Sequence, residues 1–160
     1  MGTNAEETAV RLLEKKKWMV TTVESCTAGL LSAALVNVPG ASSVFSKGLV
    51  TYSDEAKHDL AGVSWETLEK YTAVSEETAR EMALGGARAA GAQAALSVTG
   101  IAGPGGGTKE QPVGLVYIGC SILGEAVAER HVFQGDRKEV REQAVQAALE
   151  LLVQRLSVTE

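Results

Sequence analysis

The chain has 160 residues, of which 45% are hydrophobic and 22% charged, with 17 glycines and two cysteines. That length buries an adequate core without disulfides or metal, and so few cysteines exclude a disulfide framework and point to a reducing compartment. A formal net charge of −5 without a basic block excludes an electrostatic nucleic-acid surface, and no run reaches the roughly 18 apolar residues that span a bilayer.

The first segment, Ala5 to Lys16, carries Ala9, Val10, Leu12 and Leu13 at helical spacing and ends in Lys15-Lys16-Lys17, where cations suit the helix dipole. Met1 to Asn4 lead into it without an apolar signal region, and Glu6 replaces the Ser or Thr of a Met-Gly myristoylation pattern. The chain is therefore expected to be soluble and cytoplasmic. Trp18 to Val23 reads as a buried strand. It breaks at Glu24-Ser25-Cys26-Thr27-Ala28-Gly29 into a helix carried by Leu30, Leu31, Ala34 and Leu35, which stops at Pro39-Gly40. Phe45 to Tyr52 reads as a second strand, followed by a short helix capped by Asp54 and ending at Gly62. Ser64 to Tyr71 reads as another short helix. Ser75 then caps a helix that runs to Ala90 before Gly91.

Ala94 to Thr99 reads as a third strand, broken by Gly100-Ile101-Ala102-Gly103-Pro104-Gly105-Gly106-Gly107. Val113 to Ile122 and Ala126 to Phe133 are long β runs joined at Leu123-Gly124, a hairpin signal. Asp136 with Glu139 forms a capping-box pattern opening a last helix through Val140, Ala144, Ala148 and Leu152. Strands separated by helices imply parallel pairing, and the late hairpin adds an antiparallel edge. The expected fold is a three-layer α/β/α sandwich with a mixed, mostly parallel sheet of about five strands, one domain over residues 1–160.

A strand end that turns into a helix is where α/β proteins gather ligands, so Ser25 is a nucleophile candidate; the alternative is that Ser25 or Thr27 only caps the helix. Cys26 is a rival nucleophile or a small core residue. The glycine-rich loop from Gly100 to Gly107 brings main-chain N–H groups close to an anion, although it fits neither the Rossmann nor the Walker pattern and also reads as a surface turn.

A serine needs a base. His58 and His131 are the only histidines and lie on a helix face and in a strand, with no acid arranged as a triad. Lys57 follows a strand end with Tyr52, and serves as base only if burial or a neighbouring cation such as Arg137 lowers its pKa; otherwise it is an exposed helical lysine. Arg137, in Gly135-Asp136-Arg137, suits a phosphate or carboxylate, or faces solvent. The cysteines and histidines have no metal-ligand spacing.

Together Glu24-Ser25-Cys26-Thr27-Ala28-Gly29, Tyr52-Ser53-Asp54-Glu55-Ala56-Lys57, Thr99-Gly100-Ile101-Ala102-Gly103-Pro104, Pro112-Val113-Gly114 and Gly135-Asp136-Arg137 resemble the CinA C-terminal domain family, which includes stand-alone nicotinamide mononucleotide deamidases. The family usually has Gly at the position of Ala28 and Asn at that of Asp54, and its larger members carry a further N-terminal domain. The resemblance implies hydrolysis of nicotinamide mononucleotide to nicotinic acid mononucleotide and ammonia without metal or cofactor. It implies catalytic roles for Ser25 as nucleophile, Lys57 as base and Tyr52 as a group orienting Lys57 or relaying its proton. Main-chain N–H groups opening the helix after Ser25 would stabilise the oxyanion. Substrate binding would fall to Cys26, Thr27, Thr99, Gly100, Gly103, Gly105 and Arg137. The partner expected is this small molecule, with no nucleic acid or membrane, and the chain is expected to form a homodimer or higher homo-oligomer. Alternatives are a non-catalytic pyridine-nucleotide-binding regulatory module and an amidase for another small phosphorylated amide.

Overall fold

In the computed structural model, which describes residues 4–159, the elements are α1 (Ala5–Lys16), β1 (Val20–Glu24), α2 (Leu30–Val36), β2 (Phe45–Val50), α3 (Asp54–Ala61), α4 (Trp65–Tyr71), α5 (Glu76–Ala90), β3 (Ala94–Gly100), β4 (Leu115–Ile122), β5 (Glu125–Val132) and α6 (Arg137–Val158). The Met1-Gly2 pair of the myristoylation reading lies outside the described residues.

Five strands form one sheet in the order β2-β1-β3-β4-β5. β1 pairs in parallel with β2 and β3, while β3, β4 and β5 are antiparallel neighbours. Helices α1, α2 and α6 cover one face and α3, α4 and α5 the other, giving the expected three layers. Between two strands and two helical layers, β1 is buried at every position, which is why it is β-branched from Val20 to Val23 instead of alternating, with Glu24 closing it. Leu13, Leu31, Leu35, Leu96, Ile118, Leu149 and Leu152 fill the core on the α6 side; Val23, Ala61, Val63, Leu68 and Met82 fill the other.

Beyond one-residue shifts at the ends of β3 and β5, four boundaries differ from the sequence reading for a definite physical reason. β1 begins at Val20 because Lys17 takes a left-handed φ of 59° and the Trp18 N–H closes back on the Leu13 carbonyl at 3.0 Å. β2 ends at Val50, leaving Tyr52 beyond the strand and 62% exposed. β4 starts after Gly114, whose φ of 95° turns the chain. Ser53, not Asp54, caps α3: its hydroxyl accepts from the Ala56 N–H at 3.1 Å, and Asp54 is the first helical residue. The hairpin falls at Leu123-Gly124 as expected, with both residues at positive φ.

Glycine sets how closely α3 approaches α5. A Cβ on Gly85 would lie 1.4 Å from the Ala61 carbonyl oxygen, so α3 can dock only on a glycine.

Candidate active site

Three connections leave the sheet at the carboxyl ends of its parallel strands β1, β2 and β3, the edge where open α/β sheets bind ligands. Backbone hydrogen bonds fix their relative positions one residue beyond the ladder. The Ser25 N–H donates to the Val98 carbonyl at 2.9 Å, and the Thr51 N–H donates to the Glu24 carbonyl at 2.7 Å.

Ser25 sits on a corner that is not yet helix. The chain turns through Cys26, Thr27, Ala28 and Gly29 before α2 begins at Leu30, and neither Ser25 nor Thr27 caps it. The cap comes from Glu24, whose side chain is fully buried. One carboxylate oxygen accepts from the Leu31 N–H at 2.8 Å and the Thr27 hydroxyl at 2.7 Å. The other accepts from the Ser32 N–H at 3.0 Å and the Ser32 hydroxyl at 2.6 Å. An anion on the helix N-terminus is electrostatically favoured. It also removes the α2 N–H groups from the oxyanion role expected of them, because Glu24 already occupies them. From α6, Arg141 donates to the carbonyls of Cys26 at 2.8 Å and Thr27 at 3.2 Å, closing the corner from outside.

Lys57 points inward from α3 and is 2% exposed. Its Nζ donates to the Ser25 hydroxyl at 3.0 Å and to the Thr51 carbonyl at 2.7 Å. Burial lowers its pKa from the ordinary 10.5, against the opposing pull of Asp54 and Cys26. Desolvation does this without Arg137, which the sequence reading had offered as a helping cation. Burial pushes the Cys26 thiol the other way, up to about 11, so at neutral pH it remains a protonated core residue and not a rival nucleophile.

Around this pair lies a cleft of about 310 Å³ whose walls include Ser25, Cys26, Tyr52, Asp54, Lys57, Thr99, Gly100, Gly103, Gly105 and Arg137. The structure thus brings together all the residues singled out from sequence except Thr27. Thr27 is fully buried with its hydroxyl on Glu24, so it supports the corner and presents nothing to a ligand. Tyr52 does not orient Lys57 as expected. Its hydroxyl accepts from Arg137 at 3.3 Å at the rim, and the group holding Lys57 is the Thr51 carbonyl. Arg137 is fixed by a second bond to the Gly103 carbonyl at 2.8 Å. The Thr99 hydroxyl donates to the Ala73 carbonyl at 2.7 Å, drawing the loop before α5 against the cleft.

A family model described as the CinA C-terminal domain matches residues 2–156. The chain belongs to that family. A competence-damage inducible protein of Clostridium beijerinckii is 52% identical over 149 residues, which are 93% of this chain and 36% of that protein. The corresponding protein of Alkaliphilus metalliredigens is 52% identical over 151 residues, 94% of this chain and 37% of its own length. The chain therefore spans little more than a third of these curated relatives. Among solved structures, competence damage-inducible protein A of Klebsiella pneumoniae matches with a TM-score of 0.93 at 38% identity, covering 99% of this chain and 100% of that one. The competence/damage inducible protein CihA of Agrobacterium tumefaciens matches with a TM-score of 0.89 at 41% identity, covering 98% and 99%.

In this CinA domain the two histidines lie outside the cleft. His58 stacks on Trp65 and bonds the Val63 carbonyl, and His131 stacks on Phe133 beside Glu129. Among the described residues no helix is long and apolar enough to cross a membrane, and no three His, Cys, Asp or Glu side chains gather as metal ligands do. Sequence reasoning missed the work of Glu24, Thr51 and Arg141. Glu24 alone carried a signal, an acid closing a strand otherwise made of β-branched residues; the other two act through backbone carbonyls, which leave none.

Proposed function

We propose that the chain is an amidohydrolase that converts nicotinamide mononucleotide to nicotinic acid mononucleotide and ammonia through an acyl-enzyme on Ser25. The observation that carries this reading is the buried Lys57 amine 3.0 Å from the Ser25 hydroxyl, with its pKa lowered by burial. Once neutral, Lys57 accepts the Ser25 proton as the oxygen attacks the carboxamide carbon. The tetrahedral intermediate collapses when Lys57 returns that proton to nitrogen and ammonia leaves. Water, giving a proton to Lys57, then attacks the ester carbonyl; Lys57 passes that proton to the Ser25 oxygen as the ester bond breaks, and the released acid ionises to the carboxylate.

The Thr51 carbonyl holds the amine on Ser25 throughout. With the α2 N–H groups engaged by Glu24, oxyanion stabilisation falls to the Cys26 N–H beside the nucleophile and to the glycine-loop N–H groups, each such donor contributing roughly 3 to 4 kcal/mol. Arg137 and the loop from Gly100 to Gly106 receive the phosphate.

The test is ammonia release from nicotinamide mononucleotide. Ser25→Ala and Lys57→Ala are expected to abolish it while the circular dichroism spectrum stays folded, and free nicotinamide is expected to be a poor substrate. Unchanged turnover in either variant rejects the Ser25-Lys57 chemistry.

A further inference from the structure

Resting on the reading above, we propose that Asp54 is a specificity-determining residue that selects amides borne on a cationic ring over the same amides on a neutral one. Of the side chains lining the cleft, Asp54 is the only acid among the described residues. It is exposed, has no hydrogen-bond or ion-pair partner among those residues, and stands at the first position of α3, three residues before Lys57. Asp136, the nearest acid in sequence to Arg137, is spent on capping α6 through the Glu139 N–H.

Arg137, the other cationic side chain besides Lys57 among the cleft's lining residues, is tied to the Gly103 carbonyl of the glycine loop and to the Tyr52 hydroxyl. The cleft therefore carries a free carboxylate on the helix that supplies the base and a guanidinium held by the glycine loop and Tyr52. A ligand matching this polarity is a zwitterion, with positive charge close to the amide and negative charge further off. A pyridinium carboxamide nucleotide has that layout: its ring nitrogen is two bonds from the carbon bearing the amide, and its phosphate lies beyond the ribose. With the amide carbon on Ser25, the ring charge stays two bonds from the amide-bearing carbon, and Asp54, three residues before the Lys57 that contacts Ser25, is the acid of the same cleft. The carboxylate attracts a charged ring and gives a neutral ring nothing in return.

The same residue has a plain structural use, because an acid in the first turn suits the helix dipole. The two roles separate experimentally. Wild type and Asp54→Asn are compared on nicotinamide mononucleotide and on its 1,4-dihydro form, which keeps the amide, ribose and phosphate but has an uncharged ring. Removing the carboxylate also relieves Lys57 of an attractive charge. That change acts on both substrates alike, as does the intrinsic reactivity of each amide, so the informative quantity is the ratio of the two kcat/KM values.

The expected result is that Asp54→Asn lowers the preference for the cationic ring about tenfold. An unchanged ratio overturns the proposal and leaves Asp54 as a helix-stabilising acid. If wild type releases no ammonia from either compound, the proposed function fails, and calorimetric binding of the same two compounds decides the inference. Tighter binding of the cationic form that is lost in Asp54→Asn supports it. Equal binding, or binding of neither, overturns it.

Discussion

Lys57 Nζ lies 3.0 Å from Ser25 Oγ across 32 residues of sequence, and the contact is set by main chain more than by side chain. Thr51 is bonded to Glu24 on the adjacent strand, and its carbonyl then receives the Lys57 amine at 2.7 Å. The base is thus referenced to the same strand end as the nucleophile.

A buried amine with a lowered pKa makes both activity and stability depend on pH. In the folded chain the penalty of burying the charged amine is fully present below its pKa. As pH climbs from that value toward the ordinary 10.5, the unfolded chain binds more protons than the folded one, so the contribution of Lys57 to stability rises. Thermal melts of wild type and Lys57→Met over this range are expected to show the Tm difference moving steadily in favour of wild type. A parallel pair of curves would mean that Lys57 titrates normally. Ammonia release is expected to rise over the same limb as the neutral amine accumulates.

Glu24 offers a second test, because its carboxylate accepts four hydrogen bonds in a site without solvent. Glu24→Ala leaves the Leu31 and Ser32 N–H groups and the Thr27 hydroxyl unpaired, while the Ser32 hydroxyl keeps Thr22 at 2.8 Å, and is expected to cost about 3 to 5 kcal/mol. Glu24→Gln keeps the shape but turns an amide NH₂ toward donors, and is expected to cost about 1 to 3 kcal/mol. Urea unfolding measures both. The Gln variant is also expected to lose turnover, since Ser25 follows Glu24 directly and the corner is built on that carboxylate.

How much of this was legible in the sequence follows from where each piece of information resides. The alternation of β-branched runs with helical periodicity carried the layer order, and Pro39-Gly40, Gly62, Gly91 and Leu123-Gly124 marked turns that the structure keeps. Ser25, Lys57, Arg137 and the glycine loop were readable as a group because each follows a strand end, and parallel strands put those ends together. The role expected of Tyr52 was not readable correctly. Its place depends on β2 ending at Val50, after which the chain turns the tyrosine outward to Arg137. Nor was the gap between Ser25 and α2 visible, because helical spacing begins at Leu30 whether or not the residues before it are helical.

Ala28 lies in that gap with a φ of +44°, a left-handed conformation in an L residue. The Cβ penalty there is roughly 1 to 2 kcal/mol, of which glycine gives back part through the larger entropy of its unfolded chain. Ala28→Gly is therefore expected to raise stability by about 0.5 to 1 kcal/mol, read from the urea midpoint at constant slope. A loss of stability would show that the turn holds Ala28 through its methyl group.

Gly85 provides the opposite experiment, in which adding a methyl group should harm both fold and chemistry. By helix propensity alone, Gly85→Ala in the middle of α5 would stabilise by about 1 kcal/mol. Position overrides propensity here, since the new Cβ would lie 1.4 Å from the Ala61 carbonyl oxygen, a backbone atom that no rotamer change can move aside. Helix α3 must back away, and Lys57 lies one turn before Ala61 on the same buried face. The expected net loss is about 1 to 3 kcal/mol from overpacking. A shift of α3 also lengthens the contact between Lys57 and Ser25, so kcat is expected to fall by about an order of magnitude or more, as misplaced catalytic groups do, with KM changing less. Leu84→Ala, one residue earlier on a less buried position of the same helix, serves as the control for a general weakening of α5. If Gly85→Ala and Leu84→Ala lose stability equally but only the former loses kcat, the damage lies in the placement of α3. If both retain full kcat, the close approach of the two helices does not position the base.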